Sequence, residues 1–191
     1  RYKFGDSGTS LRAGFRRSET IYYGLAGVTP STVTEIRNDI QVTVFAQVFR
    51  NSSSGLLQPL NLGLGYMHGS RAVEETSLNA VLTPHRLQVL TLNLSHVLSL
   101  MDDVKLETDL SYGLPTYFRE KVQKTGFYRA GSLTTLAFGV SYTISKYVDI
   151  ALVPSVRWQR FGFDGTGSRG ASGASETAFA LGVPFELRVK F

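Results

Sequence analysis

The chain has 191 residues, of which 42% are hydrophobic, 18% charged and none cysteine, and its net charge is a modest +5. That length suits one domain spanning residues 1–191, or one barrel closed on itself. The missing thiols exclude a disulfide framework and a thiolate metal centre, and no block of like charges is long enough for a nucleic-acid arm. No stretch approaches the roughly 18 to 20 consecutive apolar residues of a membrane-crossing helix, so a bilayer could be crossed only by strands. The opening Arg1-Tyr2-Lys3 carries no apolar signal core, as expected of a mature form or a fragment whose export signal has been removed.

Alternation with a period of two predicts eight strands. In the first, Leu11, Ala13 and Phe15 alternate with Arg12, Gly14 and Arg16, and the pattern blurs before Ile21-Tyr22-Tyr23. Next, Ile40, Val42, Val44, Ala46 and Val48 face away from Asp39, Gln41, Thr43 and Gln47. Leu60, Leu62, Leu64 and Tyr66 then oppose Asn61, Gly63 and Gly65, and Leu90, Leu92, Leu94 and Leu98 oppose Thr91, Asn93 and Ser95. A fifth strand sets Val104, Leu106, Leu110 and Tyr112 against Lys105, Glu107, Asp109 and Ser111. A sixth sets Leu136, Phe138, Val140, Tyr142 and Ile144 against Thr135, Ala137, Gly139, Ser141 and Thr143. The seventh places Val148, Ile150, Leu152, Val156 and Trp158 opposite Asp149, Ala151, Ser155, Arg157 and Gln159. In the last, Phe179, Leu181, Val183, Phe185, Leu187, Val189 and Phe191 form one row, and Ala180, Gly182, Pro184, Glu186, Arg188 and Lys190 the other. Short links at 51–55, 99–103 and 145–147 alternate with long ones at about 24–37, 68–86, 113–131 and 163–175. Short turns on one side and long loops on the other are the pattern of outer-membrane barrels.

Three features turn the oily row outward. The segments run to about ten residues or more, the length a tilted membrane strand needs. The opposite row is rich in small residues such as Gly63, Gly65, Ala137, Gly139, Ala151 and Gly182, as a narrow interior requires. Aromatic side chains gather near strand ends: Tyr66, Tyr112, Trp158, Phe161 and Phe163 by the long loops, and Tyr142, Tyr147 and Phe191 by the short turns. These suit two interfacial girdles. The fold expected is an all-β, antiparallel, up-and-down transmembrane barrel of about eight strands.

The alternating last strand ending in Phe191 resembles the assembly signal of bacterial outer-membrane barrels, and the chain resembles small barrels of the OmpA, OmpX and OmpW type. Asp109-Leu110-Ser111-Tyr112-Gly113-Leu114-Pro115 is similar to a segment of the phenol meta-pathway family of outer-membrane transporters. The resemblance implies a place in the bacterial outer membrane, and as partners its lipids and the barrel assembly machinery, engaged through the last strand. No nucleic-acid partner, cofactor or metal is implied.

Candidate chemistry divides into three groups. By alternation Arg12, Arg16, Asp39, Lys105, Glu107, Asp109, Asp149, Arg157, Glu186, Arg188 and Lys190 face the interior. Buried charges need partners, so these residues fit a salt-bridged plug or a narrow polar path for small solutes. Counted from the short turns, Arg16, Asp39 and Arg157 stand in the outer half and the rest in the inner half. In the third long link Arg119, Lys121, Lys124 and Arg129 lie among Tyr117, Phe118, Phe127 and Tyr128, a composition suited to lipopolysaccharide phosphates. His68 and His85 flank the second long link near Ser70 and Glu74-Glu75, where a histidine with an acidic partner could act as a general base in a lipid- or peptide-modifying enzyme. The leading expectation has no catalytic residue: a structural barrel or a narrow channel for small or hydrophobic solutes. His96 falls on the outward row.

Overall fold

The computed structural model describes residues 2–3, 8–23, 32–48, 60–73, 84–121, 126–166, 175–183 and 185–189. The elements, in chain order, are all strands: β1 (Tyr2–Lys3), β2 (Thr9–Tyr23), β3 (Thr32–Val48), β4 (Leu60–Val73), β5 (His85–Ser99), β6 (Val104–Glu120), β7 (Tyr128–Ser145), β8 (Val148–Leu152), β9 (Ser155–Phe163), β10 (Ser175–Gly182) and β11 (Phe185–Val189). They form one antiparallel sheet: β1 to β7 pair in chain order, β7 pairs with both β8 and β9, β8 with β11 and β9 with β10. Eight long strands underlie it, because β8 and β9 are one strand broken at Pro154, and β10 and β11 keep one register against them. The β7 ladder meets Leu152 at Val140 and Val156 at Leu136, one continuous register across Pro154. Proline gives no N–H to a ladder, yet its carbonyl still accepts from the Phe138 amide at 2.9 Å.

The faces sort as the alternation predicts. Phe15 (66% exposed), Leu64 (73%), Leu92, Phe138, Val140 and Trp158 stand on the outer face, while Thr43, Asn61, Thr91, Asn93, Ser141 and Gln159 are buried on the inner one. Because side chains alternate strictly, each buried polar row is the necessary complement of an exposed apolar row. The sheet curls far enough for side chains of β3 to meet those of β9 and for β2 to reach β6. Gly63 and Gly65 make room inside: a Cβ on Gly63 would stand 2.7 Å from the inward Phe45 ring.

The expected strand bounds are corrected. The strands are longer than the oily alternation suggested, 14 residues in β4 and 18 in β7, and they absorb residues 32–37, 68–73, 85–86, 113–120 and 128–131, expected to lie in links. Likewise β2 runs unbroken to Tyr23. Backbone groups keep pairing wherever a neighbour strand continues, and here they do so after the outward row has turned polar. Among the described residues no ladder joins β2 to β10 or β11; the outer edge of β2 pairs only at Ser10 and Leu11, with β1. The result is a curled, half-barrel sheet.

The β5–β6 ladder contains one irregularity. Val89 pairs with Pro115 but Gln88 with Tyr117, so Thr116 is an extra residue in β6. Such a bulge shifts the phase of alternation, and beyond it Phe118 and Glu120 turn inward while Arg119 turns out.

Candidate functional site: a filled interior

Three layers fill the concave side. Nearest the short turns is a polar layer. Arg12 Nη1 meets Asp109 Oδ1 at 3.2 Å, with its guanidinium carbon 5.0 Å from the Phe45 ring centroid. Glu107 accepts a hydrogen bond from Ser141 Oγ at 2.8 Å, and Asn93 Nδ2 donates to Thr91 Oγ1 at 2.9 Å. Asp149 is buried, and Lys105 is half-buried. Higher up, Arg157 Nη1 reaches across to Asp39 Oδ2 at 2.6 Å, and Arg37 Nη1 donates to Gln159 Oε1 at 3.2 Å.

The second layer is apolar, which the expected polar interior did not include. Met67, Leu87, Val89, Leu133, Phe161 and Phe163 are buried together, with Phe118 and Tyr128 packed against them. The rings interlock: Phe118 lies 5.1 Å from both Phe161 and Phe163 and 5.8 Å from Tyr128, centroid to centroid. Phe161 and Phe163 were expected in the outer girdle. They lie inside instead, because the inward parity of Ser155, Arg157 and Gln159 continues through them. Tyr66, Tyr112, Trp158 and Tyr142 do stand exposed on the outer face, Tyr147 is exposed in the turn between β7 and β8, and Phe191 lies outside the described residues.

Above the rings is a charged layer at the long-loop end. In the ladder Arg37 faces Arg71, Arg71 faces His85, and His85 faces Glu120. Glu35, 1% exposed, accepts from Arg71 Nη2 at 2.7 Å and Nε at 2.9 Å, and also from Arg37 Nε. Glu35, Arg37, Arg71 and Glu120 were not foreseen as interior charges. Extending the parity of Asp39 backwards would have found Glu35 and Arg37. The bulge at Thr116 hid Glu120.

Of the expected network, Arg12 pairs with Asp109 and Arg157 with Asp39. Arg16 is exposed, its guanidinium 3.0 Å from where a Cβ on Gly182 would stand. Glu186 and Arg188 stand in register with Ala151 and Asp149; their side chains, and Lys190 entirely, lie outside the described residues. The histidines do not come together. His68 is on the outward row between Ile40 and Gln88, whereas His85 is buried inside, its ring 4.5 Å from that of Phe118. His96, opposite Leu60 and Thr108, is on the outward row as expected. Glu74 and Glu75 lie outside the described residues.

The rim residues also move from loop to strand. Arg119 belongs to β6 and Arg129 to β7, both exposed; Lys121, just past β6, is exposed too, and Lys124 lies outside the described residues. At the head of β7 and β9 the Asp164 carboxylate accepts through Oδ1 from the Phe127 amide at 2.9 Å and from the Thr166 amide and hydroxyl at 3.0 and 2.8 Å. Gly126, with φ of 111°, leaves room for this clip, since a Cβ there would collide with the same oxygen. The Thr166 amide, with help from its hydroxyl, the Phe127 amide and the Arg129 charge, holds the Asp164 carboxyl below its ordinary value. A depressed pKa stabilises above the ordinary carboxylate value and ceases to do so as pH falls through the lowered one. Protection factors of the Phe127 and Thr166 amides should therefore hold from neutrality down to about pH 4 and collapse below it. In Asp164→Ala they should be low at every pH; equal protection in that variant would remove the clip from the account.

No family model matches the chain, and neither a curated protein nor a solved structure is detectably similar to it.

Proposed function

We propose that this chain is an integral outer-membrane barrel whose interior is closed at rest, acting as a structural barrel or a narrow channel. The observation that carries the reading is the inverted distribution of hydropathy. Large apolar side chains cover the outer face while ion pairs and amides occupy the inner one, an arrangement with no driving force in water and a strong one in hydrocarbon. The aromatic cluster packed beside the ion pairs favours closure, since an eight-stranded barrel has room inside only for side chains. The last strand, with its alternating row from Phe179 to Phe191, is the part proposed to engage the assembly machinery.

Orientation is directly measurable. Spin labels at Leu92 and Val140 in the refolded protein in lipid vesicles should collide with dissolved oxygen, as lipid-facing sites do. Labels at Asn93 and Gly139 should not. Equal oxygen accessibility at the two sets would refute the membrane reading.

A further inference from the structure

We propose that Arg86 and Arg119 together bind the phosphate monoester of a membrane lipid on the outer face of the sheet, an inference that rests on the membrane reading above. Arg86 of β5 stands directly opposite Arg119 of β6. Their ladder neighbours, His85 with Glu120 and Leu87 with Phe118, turn inward, so this pair turns out, and both arginines are exposed. Neither makes an ion pair or hydrogen bond with any described residue. Like charges directly opposite one another on paired strands repel, and a dianion shared by the two guanidinium forks converts that repulsion into two charge-assisted contacts.

The ladder below the pair says what kind of molecule carries the phosphate. Next come Gln88 and Tyr117, then Leu90 with Leu114, Leu92 with Tyr112 and Leu94 with Leu110, all on the same outward face. Cation, amphipathic ring and aliphatic run therefore follow one another along a single pair of strands, in the order of a lipid's head, backbone and acyl chains. Arg129 and Arg160, exposed on β7 and β9, extend the positive rim. The bulge at Thr116 makes the pair possible, because without the phase shift Arg119 would not share a face with Arg86.

The test measures lipid selectivity by electron spin resonance, with the refolded chain in phosphatidylcholine vesicles and trace spin-labelled phosphatidic acid, phosphatidylglycerol or phosphatidylcholine. Phosphatidic acid, a monoester, should associate more strongly than the diester phosphatidylglycerol, and both more strongly than phosphatidylcholine. Each arginine should contribute about five-fold, the equivalent of roughly 1 kcal/mol per cation near a lipid surface. Arg86→Gln with Arg119→Gln should bring phosphatidic acid to the phosphatidylcholine level while the immobilised phosphatidylcholine fraction, which reports a folded and inserted chain, stays unchanged. Arg86→Lys should retain part of the selectivity, and Arg17→Gln, on β2, all of it. Undiminished selectivity in the double variant overturns the proposal, as does full competition by millimolar inorganic phosphate, which would make the site one for a free anion. A wild-type chain that immobilises no lipid at all overturns the membrane reading itself.

Discussion

Glu35→Ala should lower the unfolding free energy of the refolded protein by about 3 to 5 kcal/mol, because it strips a buried guanidinium pair of its carboxylate. Among the described residues Glu35 is the most deeply buried acid, held by Nε and Nη2 of Arg71 and by Arg37. Arg71 is itself buried, with its side chain 2% exposed, and so cannot reach bulk water. Arg37 also donates to Gln159 and is less deeply buried, so the deeper Arg71 bears the larger share of the loss. Adding Arg71→Met should accordingly recover much of the loss, since replacing both members of a buried pair is often nearly neutral. Denaturant midpoints in detergent micelles read both variants. A small effect in the single variant would mean that water enters the layer freely.

Phe161→Ala should cost about 3 to 5 kcal/mol as well, and it should also change what passes through the barrel. Phe161 is fully buried, and its ring contacts Phe118 at 5.1 Å, His85 at 6.3 Å and Tyr128 at 6.4 Å. Deleting that ring opens a void in the aromatic cluster beside the ion pairs. Single-channel recording should find small or no current in the wild type and larger, unsteady current in the variant. Phe161→Leu, which refills most of the space, should fall between them. A wild-type protein that already passes large steady currents would leave the aromatic layer without a closing role.

How far the sequence could be read depended on phase. Wherever period two ran unbroken from an oily row, the assignment of faces was legible: Val42, Leu64, Leu92, Phe138 and Leu152 outward, Thr43, Thr91, Ser141 and Ala151 inward. The inward parity of Arg12, Asp109, Arg157 and Asp39 followed from the same rule; which of them pair is seen only in the fold. What escaped was the long-loop end, where hydropathy stops marking the faces. There Leu87, Phe161 and Phe163 are buried inside and Arg86, Arg119 and Arg160 are exposed outside, so the sign of the pattern reverses while the strands continue. A rule that reads oily as outward ends the strand at that point. The extra residue Thr116 is invisible for a different reason, because a bulge is a property of the pairing between two strands and only one of them is in view at a time.

The unjoined seam bears on how the molecule can be handled. A long row of peptide groups along the outer edge of β2, from Arg12 to Tyr23, meets no partner strand among the described residues. In hydrocarbon a peptide group left without a partner costs several kcal/mol, and in water a strand edge is a template for any extended chain that drifts against it. The solvent therefore decides the fate of the edge. Diluted from denaturant into buffer, copies should stick to one another through it; diluted into micelles, the approach of Arg16 to Gly182 marks where a closing ladder would start. The yield of refolded monomer is then a race between collision and closure, set by protein concentration and by how early the amphiphile arrives.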